Sequence, residues 1–156
     1  MSASIQYRSG NRSDLPEMIS VFKRSILETV QTAYSPEQLS VWVAFADDEE
    51  LWTERLRNQR ILVAEEENTI IGFGTIDGSY IDFLYVLPEH QGRGIGTQLL
   101  QTLLNEAQHS FCLFTTDASE MAKTAFEHLG FRVTRRNDFE RKGVWIHNYR
   151  MTLEVH

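Results

Sequence analysis

The chain has 156 residues, of which 42% are hydrophobic and 24% are charged, and its formal net charge is −7. This balance is typical of one soluble globular domain, which we expect to span residues 1–156. The acidic excess argues against a nucleic-acid partner, no apolar run approaches the roughly 20 residues of a membrane span, and no signal-peptide pattern opens the chain. We therefore expect a cytoplasmic protein with no nucleic-acid or membrane partner.

The single cysteine, Cys112, lies in the apolar run 111–114. One thiol cannot form an internal disulfide, and an apolar flank does not stabilise the thiolate of a nucleophile. We therefore predict a buried cysteine on a strand. The five histidines have no metal-ligand spacing, so we expect no metal site.

Helical spacing dominates the first third of the chain. After a short strand at 5–8, apolar residues recur every three or four positions over 15–30, and Asp14 is a candidate N-cap. Ser35 begins a capping-box pattern, Ser-Pro-Glu-Gln, which predicts a second helix. A third helix is predicted over 48–58.

Beyond residue 60 the apolar period changes from helical to extended. The predicted strands lie at 60–66, 69–77, 79–87, 111–116, 131–136 and 144–154, and the predicted helices lie at 92–109 and 119–129. With the first strand, this order predicts an α/β fold with a mixed, mostly antiparallel central sheet of about seven strands and helices on both faces.

The most informative segment is the glycine-rich turn between the strand at 79–87 and the helix at 92–109. It reads Gln91-Gly92-Arg93-Gly94-Ile95-Gly96-Thr97. Residues without side chains let the N–H groups of the first helical turn approach a ligand, and these groups lack internal partners at the positive end of the helix dipole. A phosphate group is the expected ligand, with the Arg93 guanidinium and the Thr97 hydroxyl as further donors.

Two other glycine-rich phosphate sites match this turn poorly. The G-x-x-x-x-G-K-[ST] pattern of nucleotide P-loops is absent, and Gly96 comes one residue too early for the dinucleotide pattern G-x-G-x-x-G. A nucleotide-linked enzyme nevertheless stays open as an alternative.

The turn also resembles a known family. Residues 91–96 match the Q-x-x-G-x-G signature of the GNAT-type N-acetyltransferases, and residues 122–131 (AKTAFEHLGF) are similar to the A-x-x-x-Y-x-x-x-G-F junction of that family. The element order resembles the family over nearly the whole chain. Residues similar to its bacterial YafP-like branch are 34–38, Trp42, 116–119 and 148–151.

This resemblance implies a GNAT-like fold and acetyl-CoA as co-substrate, without a metal. Transfer to a primary amine is expected by direct attack in a ternary complex, since no activated Ser or Cys nucleophile is evident. The N–H of Leu84 would polarise the thioester carbonyl, where negative charge develops during transfer. The expected cofactor-binding residues are Leu84, Tyr85, Val86, Gln91, Gly92, Arg93, Gly94, Ile95, Gly96, Thr97, Ser119 and Phe126.

The proton acceptor is predicted on the strand at 79–87. An ammonium acceptor must lose a proton before it can attack. Strand alternation places Tyr80, Asp82 and Leu84 on one face. Tyr80 occupies the position at which the family often has a carboxylate base, and Asp82 is therefore the predicted base.

The proton donor departs from the family pattern. Phe126 replaces the family's tyrosine acid and cannot donate a proton. Tyr85, Tyr149 or Tyr34 is expected to serve instead, unless the thiolate leaves unprotonated, because a thiol with a pKa near 8.5 is a tolerable leaving group. A catalytically weak sensor that binds acetyl-CoA is the alternative function.

The acceptor pocket is expected among Tyr34, Glu37, Trp42 and Tyr80. Small polyamines, amino acids, antibiotics and protein amines all stay open as acceptors, because variable loops determine this choice. A monomer or a homodimer is expected, the latter through pairing of the closing strands.

Overall fold

The computed structural model describes residues 4–28 and 33–156. Its strands are β1 (Gln6–Ser9), β2 (Arg60–Glu66), β3 (Thr69–Asp77), β4 (Tyr80–Val86), β5 (Leu113–Ala118), β6 (Arg132–Arg141) and β7 (Val144–Glu154). Its helices are α1 (Leu15–Leu27), α2 (Pro36–Trp42), α3 (Glu49–Leu56), α4 (Ile95–Ala107) and α5 (Lys123–His128).

The seven strands form one sheet in the order β1-β2-β3-β4-β5-β7-β6. Neighbouring strands are antiparallel except β4 and β5, which are parallel. The predicted α/β fold with a mixed, mostly antiparallel sheet is therefore confirmed.

The contacts of β3 residues show that helices cover both faces of the sheet. The Phe73 ring packs against Trp52 of α3, with ring centroids 6.5 Å apart. On the other face, Gly72 and Gly74 leave room for α4, since an added Cβ at Gly74 would lie 3.1 Å from Leu103. Successive residues of a strand alternate between faces, so α3 and α4 cover opposite sides.

The helix starts agree only partly with the predicted caps. Ser35 forms the expected capping box at α2. Asp14 occupies the predicted N-cap position of α1, but its side chain makes no cap bond to that helix. Instead, Asn11 caps a short 3-10 turn, and Asp14 closes the box and pairs with Arg8 at 2.9 Å. Val30, the last apolar position predicted for that helix, lies outside the described residues.

The start of β5 contradicts the prediction of a buried cysteine. Cys112 is exposed, and Leu113, the first residue of the strand, is 48% exposed. Cys112 precedes the strand, which begins at Leu113, and burial begins only at Phe114, which is 0% exposed. Within residues 4–28 and 33–156, no helix is long and apolar enough to cross a membrane.

Candidate active site

The site is built around an opening in the sheet between β4 and β5. Within the described chain these strands pair only at Tyr80 with Thr115 and at Ile81 with Thr116. Beyond these two positions the strands diverge, although β4 continues to Val86. Both strands therefore have an unpaired inner edge at the centre of the sheet.

The N–H groups of β4 alternate between β3 and this opening. The N–H of Phe83 donates to a threonine hydroxyl of β3 at 3.2 Å, and the N–H of Leu87 donates to a β3 carbonyl oxygen at 2.9 Å. Since consecutive N–H groups of a strand point to opposite sides, those of Leu84 and Val86 point into the opening. Both residues belong to the predicted cofactor-binding set, and the Leu84 N–H is the group predicted to polarise the thioester carbonyl.

A cavity of about 400 Å³ extends from the opening to the glycine-rich turn. Its lining brings together most of the predicted cofactor residues: Leu84, Tyr85, Val86, Gln91, Gly92, Gly94, Ile95, Gly96, Thr97 and Ser119. Phe126 lies deeper, in a cleft within the opening itself.

The conformation of the turn requires two of its glycines. Gly92 and Gly94 have φ angles of 82° and 78°, which L side chains rarely adopt. An added Cβ at either position would meet no atom of the described protein within 4 Å. Gly94 is the N-cap of α4, and no side chain of the described chain caps that helix. The turn thus presents N–H groups at a helix N-terminus beside open space, as anion binding requires.

The Arg93 side chain is not part of this cavity. Its guanidinium donates to Glu66 at 2.7 Å and lies 2.7 Å from Nδ1 of His90. The Glu66 carboxylate at the end of β2 therefore tethers the turn to the sheet. The predicted role of Arg93 as a phosphate-binding cation stays a prediction, whereas Thr97, the other predicted side-chain donor, lines the cavity.

A β-bulge at Asp82 changes which side chains of β4 share a face. Phe83 and Ile81 lie opposite consecutive residues of β3, so Asp82 is an extra residue between them. Tyr80 consequently lines the same cavity as Phe83, whereas Leu84 faces α4. The predicted common face of Tyr80, Asp82 and Leu84 is therefore wrong, because alternation does not continue through a bulge.

A second cavity, of about 200 Å³, lies on the face covered by α1–α3. Its aromatic lining is Phe22, Trp42, Phe45, Phe83, Tyr85 and Phe139, and its polar lining is Arg55, Tyr80, Asp82, Asp117, Arg141 and Asn148. The cleft in the opening shares Asp82 and Asp117 with this cavity and shares Leu84 and Ser119 with the larger one. The cleft therefore lies between the two cavities, and two of the predicted acceptor residues, Trp42 and Tyr80, line the second.

The other two predicted acceptor residues lie elsewhere. The buried Tyr34 hydroxyl donates to the His147 carbonyl at 3.0 Å and accepts the backbone N–H of Glu120 at 2.9 Å. Burial raises the pKa of Tyr34 to about 12. Tyr34 thus ties the segment before α2 to β7, and Glu37 is exposed on α2 outside both cavity linings.

The Asp82 carboxylate is held by an arginine. Arg55 donates to Oδ1 at 2.6 Å and to Oδ2 at 2.9 Å, and Gln59 also donates to Oδ2 at 2.7 Å. The Asp82 side chain is 5% exposed. Because Oδ1 accepts one bond from the described residues and a carboxylate oxygen can accept two, one acceptor position remains at the cavity.

Asp117 is a residue of this site that the sequence reasoning missed. Its carboxylate accepts two bonds from Arg150 at 2.8 and 3.0 Å, one from Asn137 at 3.0 Å and one from the Tyr80 hydroxyl at 2.9 Å. Burial and this last bond raise the pKa of Tyr80. The signals were its position just after the predicted strand at 111–116 and its place in the YafP-like match at 116–119, and neither identifies Asp82 as its neighbour across the opening.

Tyr85 is the tyrosine nearest to both cavities. It lines the two cavities and the cleft between them, and burial raises its pKa to about 12. Its oxygen accepts a long bond from Trp42 at 3.4 Å, which leaves its proton available for donation. The Tyr149 hydroxyl instead donates to Glu120, and Tyr149 lines none of these three spaces.

Phe126 occupies the position of the family's acid within the cleft. It is 2% exposed and packs edge-on against Phe131, with ring centroids 5.2 Å apart. Phe126 therefore supplies an apolar wall here.

Comparison with known proteins is consistent with this geometry. The crystal structure of a GCN5-related N-acetyltransferase from Rhodopseudomonas palustris superimposes with a TM-score of 0.91 and 31% identity, covering 99% of this chain and 98% of that one. The PaiA N-acetyltransferase of Thermoplasma acidophilum, solved in complex with coenzyme A, has the same fold, with a TM-score of 0.75, 22% identity and coverage of 97% and 99%.

Sequence comparison gives the same family. The uncharacterized N-acetyltransferase YafP of Escherichia coli is 33% identical over 148 residues, which cover 95% of each chain. Residues 30–153 match the model of the acetyltransferase (GNAT) domain. The chain therefore belongs to the GNAT family of acetyltransferases.

Proposed function

We propose that this protein transfers the acetyl group of acetyl-CoA to a primary amine, with both substrates bound at the opening between β4 and β5. The observation that carries the proposal is the direction of the Leu84 and Val86 N–H groups, which point into an opening that leads to an uncapped helix N-terminus. The Thermoplasma relative, which binds coenzyme A, shares this fold.

The coenzyme fits the larger cavity. The N–H groups of the turn around Gly92 and Gly94 would bind the pyrophosphate, for which the empty space in front of both glycines leaves room. The pantetheine arm would follow the inner edge of β4, where the Leu84 N–H donates to the thioester oxygen. A fixed donor at that oxygen stabilises the negative charge of the transition state without reorganisation.

The acceptor would enter from the second cavity, on the opposite face. Because the two cavities lie on opposite sides of the opening, both substrates could be bound together, as direct attack requires. Asp82 Oδ1, with its remaining acceptor position, is the proposed site that receives the ammonium proton.

Tyr85 is the proposed donor to the departing sulfur. A phenol whose pKa is about 12 is a weaker acid than a thiol with a pKa near 8.5, so full proton transfer would be uphill. The hydroxyl therefore acts by donating a hydrogen bond to the thiolate, which then takes its proton from solvent.

The turnover assay measures thiol release from acetyl-CoA with a panel of primary amines. We expect at least one amine to raise thiol release well above the rate of hydrolysis, with the acetylated amine identified by mass spectrometry.

Phe126, which cannot act as the family's acid, is the observation that favours the sensor alternative. Tight acetyl-CoA binding without release by any amine would establish the sensor, and stabilisation by NAD or ATP but not by CoA would overturn both functions.

Gly94→Asp is expected to abolish CoA binding, because it adds bulk and negative charge at the phosphate site. Gly143→Asp is a matched control: Gly143 also has a φ of 78° and open space around its Cβ position, but it lies in the β6–β7 turn. Both variants carry the same backbone strain and should unfold at similar urea concentrations. Isothermal titration should show wild-type CoA affinity for Gly143→Asp alone. Wild-type affinity in Gly94→Asp would refute the phosphate site.

The two proton-transfer roles predict different pH profiles. In Asp82→Asn, kcat/KM should fall at pH 7 and recover as pH rises, because the neutral fraction of a lysine-like amine grows about tenfold per pH unit below its pKa near 10.4.

In Tyr85→Phe, kcat should fall by about tenfold to a hundredfold at every pH from 7 to 9.5, since a hydroxyl of pKa about 12 stays protonated throughout. For Asp82→Asn, a loss of kcat/KM that stays constant with pH would mean that Asp82 only positions Arg55. A larger loss of kcat in Tyr149→Phe than in Tyr85→Phe would assign the donor role to Tyr149.

A further inference from the structure

One charged side chain of the second cavity has no ion-pair partner. Of the cavity lining, Asp82 is paired with Arg55, and Asp117 is paired with Arg150, which lies behind it. Arg141 also lines this cavity, and no carboxylate of the described chain lies within ion-pair distance of it. Arg141 is therefore an unpaired guanidinium at the cavity, although the chain as a whole carries −7.

The Arg141 guanidinium is held in place by an aromatic ring. It lies over the Phe139 ring, 5.1 Å from the centroid, which is the geometry of a cation–π contact. Both residues are on β6, next to the turn that leads into β7. This contact leaves the N–H donors at the edge of the guanidinium free for a ligand.

An unpaired arginine makes this cavity a poor receptor for a simple alkylammonium ion. The ammonium would meet the like charge of Arg141 on its way to the opening, and the two inner carboxylates are already neutralised by arginines. An acceptor with its own anionic group removes this conflict, because the anion pairs with Arg141 while the amine reaches Asp82. A volume of about 200 Å³ suits a molecule of amino-acid size.

We propose that the acceptor is a small amino acid, in which an anionic carboxylate is bound by Arg141 at the rim of the second cavity and the amine lies at the opening. This inference rests on the proposed function, since it specifies the acceptor of the same site. Arg141 is accordingly a specificity residue that touches the substrate away from the reacting atoms.

The experiment compares amino acids with matched alkylamines. Amino acids with one to five carbons between amine and carboxylate are each paired with the alkylamine of the same chain length, and kcat/KM is measured from thiol release. For at least one spacing we expect the amino acid to be the better substrate by about tenfold or more. Arg141→Gln should remove this preference by raising KM for the amino acid, and it should raise kcat/KM for the alkylamine, because the like charge that opposes the ammonium is gone.

Arg132→Gln is the control, because Arg132 is an exposed arginine at the other end of the same strand. It should keep the wild-type preference. If alkylamines are acetylated as well as their amino-acid partners, or if Arg141→Gln keeps the preference, the inference is overturned while the proposed function stands. If no amine of either series is acetylated by a protein that binds acetyl-CoA, the inference is overturned, and the proposed function fails with it only if the wider amine panel also gives no release.

Discussion

The inner edge of β4 imposes the constraint on which the rest of the site depends. A backbone N–H removed from water without a partner costs about 1–3 kcal/mol, yet the divergence from β5 leaves the N–H groups of Leu84 and Val86 without a strand partner. Water can satisfy them, and so can an extended ligand that carries acceptors at similar spacing. An opening that destabilises the sheet is therefore suited to the pantetheine arm of the coenzyme, which can accept hydrogen bonds as a neighbouring strand would.

Paired charges hold the two sides of this opening. The bulge at Asp82 turns its carboxylate toward Arg55 of α3, and across the opening Asp117 joins β5 to β7 through Arg150. Each carboxylate is thereby held by an arginine from another element, so neither contributes an unpaired charge. This arrangement leaves Arg141 as the charge that an acceptor meets first.

The fold and the phosphate turn were predictable because their signals are local. The bounds of β2, β3 and β7 agree with the predicted strands, and the turn at 91–97 lies where a strand meets a helix. The features that the sequence did not predict depend on contacts between residues that are distant in the chain. The bulge at Asp82 depends on pairing with β3, the contact of Arg93 depends on Glu66, and the neighbourhood of Asp117 depends on which strand lies beside β5.

The most direct test of the account is an amide NMR titration of the protein with acetyl-CoA. We predict that the N–H resonances of Leu84 and Val86 shift downfield in step with those of Gly92, Gly94 and Gly96, as expected for new hydrogen bonds, while that of Gly143 stays in place. Saturation of binding with the Leu84 and Val86 resonances unmoved would contradict the central claim, because the coenzyme would then bind without using the opening between β4 and β5.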